Sequence, residues 1–141
     1  MNPLVSGMFE GALFIFSLLI LHEIGHFATA KLLGFKKVKI TYHGWDLCIE
    51  IEFENFYEMK KYYEHVYPYI LIAGPSISAA AFILLYHLNL INPILAACGL
   101  FFSLSYIPVE FKHFEKYKFT YELEKPLYER LEQIKRREFY E

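Results

Sequence analysis

The chain has 141 residues, of which 55% are hydrophobic, 19% aromatic and 21% charged, with a formal net charge of −2 and a mean hydropathy of +0.24. This length sets one domain as the expectation, and the composition is too apolar for an ordinary soluble domain. The slightly acidic balance and the absence of a long basic run argue against a nucleic-acid partner, and two cysteines outside any CxxC pair argue against a disulfide framework or a cysteine zinc site.

Residues 1–10 hold no Lys or Arg, and no small-residue cleavage pattern follows, so the first apolar run is read as retained rather than as a signal peptide. From Gly11 to Ala30 the only formally charged residue is Glu23. About twenty helical residues rise roughly 30 Å, the thickness of a hydrocarbon core. A first span is placed near 8–33, with Gly34 suited to a helix C-cap and Lys31 to the negative end of the helix dipole.

Residues 36–56 follow with strand periodicity. Val38, Ile40 and Tyr42 alternate with Lys37, Lys39 and Thr41, and Leu47, Ile49, Ile51 and Phe53 alternate with Asp46, Cys48, Glu50 and Glu52. A two-residue turn at Gly44-Trp45 fits the type II′ preference for glycine first. That register sets Lys39 opposite Glu50 and Lys37 opposite Glu52. The other face of the hairpin is wholly apolar and must lie on protein or on the membrane surface.

Between Glu64 and Glu110 lie 45 residues without Asp, Glu, Lys or Arg, enough for two more spans. "NLINP", residues 89–93, breaks them: Asn89 and Asn92 suit a turn or cap, and Pro93 a helix start. The second span is placed near 66–88 and the third near 93–109, with Pro108 expected to kink or end it. Beyond residue 114 the chain is a charged tail. Leu127, Leu131 and Ile134 are spaced for a surface helix over about 126–139, with Pro126 in its first turn. The expected fold is therefore an α-helical membrane protein of three spans, with a β-hairpin between the first and second and a cytosolic C-terminal helix. All 14 Lys and Arg fall within 31–61 or 112–137. By the positive-inside rule the hairpin and tail are cytosolic and the N-terminus faces out.

"LILHEIGHFATA", residues 19–30, raises the functional question. An ionisable side chain near a bilayer centre costs roughly 2.5–3.5 kcal/mol on insertion scales, so three together need a reason. His22 and His26 are four apart and share a helix face. HExxH is the pattern in which two such histidines grip zinc and the glutamate, here Glu23, serves as general base toward an attacking water. The plainer alternative is a polar cluster bonding between helices. Gly25, lacking a side chain, admits another helix or a substrate close to the metal. Catalytic zinc usually takes three protein ligands. Glu110 is favoured as the third because it is the first acid after the uncharged stretch and sits at the same membrane face as His26. His113 is the runner-up; His87, His65 and His43 are read as interfacial, loop or hairpin residues.

An HExxH in the first core helix, then a hairpin, a Gly-Pro in the second helix and an acid after the third resembles the site-2 protease family of intramembrane zinc metalloproteases. The likeness covers residues 1–114, with 115–141 outside it. It implies one Zn2+ per chain on His22, His26 and Glu110, Glu23 as catalytic base, and hydrolysis of a peptide bond in or near a membrane helix of another protein within the lipid bilayer. In "PVE" Glu110 stands where the family has aspartate, and in "GPSIS", residues 74–78, Ser78 stands where its asparagine helps hold the substrate or oxyanion. A hydroxyl can still donate one hydrogen bond there. The hairpin is expected either to receive the unwound substrate as an added strand or to act as a lid. Three alternatives remain at this point: a catalytically silent relative that binds membrane helices as a regulator or chaperone, a membrane zinc protease of another class, and a structural three-span protein.

Overall fold

The computed structural model describes residues 3–44 and 46–140, with side chains for 9–42, 44 and 47–138. Helix α1, Pro3–Leu32, carries the HExxH. It ends in a Schellman motif: Gly34, at φ +93°, donates to the Lys31 carbonyl at 3.0 Å, and Phe35 to the Ala30 carbonyl at 3.2 Å. The Lys61 ammonium satisfies the Leu33 carbonyl at 2.9 Å. The chain then turns into β1, Val38–His43, and β2, Asp46–Ile51. Their antiparallel register pairs Val38 with Ile51, Ile40 with Ile49 and Tyr42 with Leu47 on one face. On the other, Lys39 meets Glu50 at 3.2 Å and Lys37 meets Glu52 at 3.3 Å, as the sequence leads one to expect. Gly44 has φ +67°, which the turn requires; Trp45, the other residue of the expected type II′ turn, lies outside the described residues.

Asn55 caps α2, Phe56–Lys61, by accepting from the Glu58 N–H at 2.9 Å. A π-helical turn, Tyr62–Val66, leads into α3, Tyr67–His87. The widened turn falls just before Pro68, whose ring would otherwise press on the carbonyl four residues back. Asn89, at φ +56°, turns the chain after α3, and Asn92 caps the next helix by accepting from the Leu95 N–H at 2.8 Å.

That helix, α4, runs unbroken over Pro93–Tyr140. This corrects one expectation: the tail helix does not begin at Pro126. Of the kink or end expected at Pro108, the helix does not end there. Each internal proline costs about 3 kcal/mol and one backbone hydrogen bond. Packing from Gly99 to Tyr128 offsets this. Gly99 lies against the Phe82 ring of α3. Phe114 stacks on Tyr67 at 4.6 Å and Tyr121 on Tyr63 at 4.7 Å. Lys125 bonds Glu64 at 2.6 Å and Tyr128 stacks on Phe56 at 5.8 Å. Its 48 residues measure about 72 Å, so the second half extends well past a 30 Å hydrocarbon layer.

Among the described residues three helices are long and apolar enough to cross a membrane, which suggests a multi-pass membrane protein. Their outer faces are apolar and exposed, as at Leu13, Ile15, Ile83, Leu84, Phe101 and Leu104. The main buried cluster is Ala30, Phe35, Val38, Tyr62, Val66 and Ile70, where the end of α1, the hairpin base and the start of α3 meet. The hairpin does not stand away from the helices. Its tip residues Tyr42, Gly44 and Leu47 lie beside Phe16, Leu19 and Ile20, so it folds back along α1 for about four turns.

Candidate metal centre

The site begins with two glycines. A Cβ on Gly25 would lie 2.7 Å from the Ala73 carbonyl oxygen and 2.9 Å from the Gly74 Cα. A Cβ on Gly74 would run into the His26 ring and the His22 carbonyl. Two bare backbones therefore meet where α1 crosses α3, which seats the HExxH turn directly on α3. The helix that Gly25 was expected to admit is α3. Gly25→Ala is expected to force the helices apart and to destabilise the protein by about 1–3 kcal/mol, read as a lowered unfolding midpoint in detergent. Gly11→Ala, on a part of α1 with nothing within 4 Å, is the control and should leave the midpoint unchanged or slightly raised, since alanine is the better helix former.

His22, Glu23 and His26 are 2%, 8% and 5% exposed, so all three ionisable groups are withdrawn from solvent and lipid. One donor atom from each lies within 4.8 Å of the others, a group that could hold a metal ion. Glu110 of α4 comes closer still to the histidines. His22 Nε2 lies 3.0 Å from His26 Nε2 and 3.0 Å from Glu110 Oε1, and His26 Nε2 lies 3.5 Å from the same oxygen. Three donors about 2.0–2.1 Å from one tetrahedral centre would sit roughly 3.3–3.4 Å apart, so the triangle has the size of one face of such a site.

Proton arithmetic points the same way. His26 Nδ1–H donates to the Ile70 carbonyl at 2.6 Å, which leaves a lone pair on Nε2 of the neutral ring. That lone pair faces another imidazole nitrogen and a carboxylate. A single proton, on His22 Nε2, can bridge only one edge of the triangle at a time; a cation within it satisfies all three atoms. The two imidazoles and one carboxylate form a donor set of the kind that holds a divalent metal with a position left open. His22 Nδ1 is buried and has no hydrogen-bond partner among the described residues. Its ring is instead held by packing against Tyr106, with centroids 5.0 Å apart.

Glu23 points to a different neighbour. The backbone N–H of Ile49, on β2, lies toward its carboxylate. This brings the hairpin to the edge of the metal triangle. Ser78 is fully buried on α3, one turn beyond Gly74, and its hydroxyl donates to its own helix, to the Gly74 and Pro75 carbonyls at 3.1 and 3.0 Å.

The structure thus brings His22, Glu23, His26 and Glu110 together and leaves His65, His87 and His113 exposed and apart; the side chain of His43 lies outside the described residues. Three participants were not read from the sequence. Tyr106 could have been found at four residues before Glu110, the spacing that shares a helix face. The Ile70 carbonyl and the Ile49 N–H are backbone groups without a sequence signal. No family model, no curated protein and no solved structure matches the chain.

Proposed function

We propose that this protein is an intramembrane zinc metalloprotease of the site-2 type, holding one Zn2+ on His22, His26 and Glu110 and hydrolysing peptide bonds in or beside membrane helices of other proteins. The observation that carries the reading is the triangle of His22 Nε2, His26 Nε2 and Glu110 Oε1, 3.0–3.5 Å on a side, with the Glu23 carboxylate next to it. Bound zinc supplies a Lewis acid for the scissile carbonyl and makes a water molecule acidic enough to react near neutral pH. Glu23, the buried carboxylate outside the triangle, takes the proton of the attacking water and returns it to the leaving amine. The Ile70 carbonyl fixes the tautomer and tilt of His26.

A substrate helix has its backbone bonds satisfied internally and must unwind before it is cut. The outer edge of β2 offers it replacement partners. Glu52 donates inward to the Lys37 carbonyl, so the N–H groups of Leu47, Ile49 and Ile51, of opposite parity, point away from β1; that of Ile49 lies toward Glu23, which leaves those of Leu47 and Ile51 for an added strand. Unpaired strand edges at membrane depth are costly unless something pairs with them. An added substrate strand does so and runs past Glu23. This supports the strand-addition role over that of a lid. The basic residues of 31–61 and 112–137 support a cytosolic tail and hairpin base, with the N-terminus outside.

One observation favours the alternative of a silent relative that binds membrane helices: the Ser78 hydroxyl is engaged by its own helix. A single experiment separates the two. In detergent, the purified protein is expected to carry one zinc per chain and to cut a peptide containing an unwound membrane segment; a chelator should abolish cleavage and added zinc restore it. Zinc at one per chain with no hydrolysis of any membrane segment selects the binding protein, and protein purified without zinc rejects both.

A further inference from the structure

We infer that the cavity between the hairpin tip and α1 is the pocket by which the enzyme selects its substrate, taking a bulky apolar side chain two residues from the scissile bond. The inference rests on the protease reading and adds to it a substrate class.

The cavity holds about 410 Å³ and is lined by Phe16, Leu19 and Ile20 of α1 and by Tyr42, Gly44 and Leu47 of the hairpin. That is within the range of small-ligand sites and roomy enough for any aromatic or branched aliphatic side chain. Its walls are mostly apolar. It is also tied to the catalytic group from both sides. On α1, Phe16, Ile20 and Glu23 follow one another at helical spacing, and Leu19 precedes Glu23 by four, so the pocket opens one turn from the general base.

On the hairpin, Leu47 precedes Ile49 by two. Both side chains therefore share the apolar face, and both N–H groups share the free edge of β2. The Ile49 N–H is the one that meets Glu23. A strand added to this edge advances in step with β2. Its residue beside Ile49 lies at Glu23, and its residue beside Leu47, about 7 Å further on, faces the cavity. The intervening residue points to the opposite face. Continuity with the Glu23 site thus designates the occupant: an apolar side chain of the strand being cut. A lipid acyl chain would fill the same space without reference to β2, and is distinguished below.

The test uses the full chain in detergent and a series of membrane-segment peptides. The residues two positions to either side of the cut are varied among Ala, Leu, Phe and Asp. On one side, Leu and Phe should exceed Ala in kcat/KM by about 10- to 100-fold, the discrimination an apolar pocket provides, with Asp the poorest. Leu47→Trp, which fills the cavity, should shrink the Phe-to-Ala ratio at least tenfold, and Leu19→Ala, which enlarges it, should preserve or raise it. Equal ratios in all three proteins overturn the inference.

A second measurement does not depend on turnover. Glu23→Gln is mixed with a peptide bearing a photo-crosslinking leucine analogue at the same position, and irradiated. Crosslinks at Leu19, Ile20 or Leu47 support the pocket. Crosslinks only elsewhere on the chain, or an acyl chain retained in the cavity in the peptide's presence, overturn it. Crosslinking at the pocket with no hydrolysis by wild type would sink the protease and keep the pocket; hydrolysis with flat selectivity would do the reverse.

Discussion

Glu23→Gln is expected to keep one zinc per chain while lowering kcat by about 10²–10⁴-fold, the usual contribution of a positioned general base. The substitution is nearly isosteric, so the buried position, 8% exposed, stays filled. It removes the basic oxygen but keeps a group able to accept from the Ile49 N–H. Two quantities must be measured on the same preparation, metal content and single-turnover cleavage, because the geometry admits a rival. Glu23 lies within 4.8 Å of both histidine donors and could itself be the third ligand, with Glu110 outside. In that case Glu23→Gln would weaken zinc binding and lower cleavage together. The expected pattern is a split: zinc unchanged, cleavage lost. Cleavage at the wild-type rate would remove Glu23 from the mechanism altogether.

Which parts were legible in the sequence follows from where their physics resides. The first span, its end and the hairpin register rest on local signals, and several agreed with one another. Gly34 stands where the Schellman motif needs a positive φ. The hairpin register satisfied both an apolar face and the Lys39–Glu50 and Lys37–Glu52 pairs, so a one-residue slip would have broken both at once. Asn55 followed by Glu58 is a capping signal for α2 that could also have been read. The run of α4 through Pro108 and Pro126 was not legible, because the local rule is correct as to cost. What overrides it is distant in the chain: Tyr121 and Lys125 against Glu64, Tyr128 against Phe56. The same holds for the hairpin. Its apolar face announced that something must cover it, but only the tertiary fold lays it on α1. At the metal centre, helical spacing joined His22 to His26, and the uncharged stretch and the shared membrane face already favoured Glu110 among five candidates; its 3.0 and 3.5 Å approach to the histidines follows from the packing of α4 on α3.

Glu110→Ala is expected to strip the metal, and His113→Ala to leave it in place. Glu110 bridges both histidines, at 3.0 and 3.5 Å, and is the only contact by which α4 completes the triangle among the described residues. Losing an orienting partner behind a ligand typically costs 10–100-fold in metal affinity, and losing the ligand itself should cost at least about that much. Glu110→Asp, one methylene shorter, should recover part of the affinity, since the carboxylate chemistry is retained and only the reach changes. The readout need not be activity. A metal that binds the folded protein and not the unfolded chain stabilises it by RT ln(1 + [Zn]/Kd), so added zinc should raise the unfolding midpoint of wild type and of His113→Ala, and not that of Glu110→Ala. His113 is three residues further along α4, near the same helix face but one turn away from the histidines, and it is exposed. If His113→Ala abolishes the zinc-dependent shift while Glu110→Ala keeps it, α4 must slide by about a turn against α1. That movement would separate Tyr106 from His22 and Lys125 from Glu64, contacts whose loss the same two variants can be used to detect.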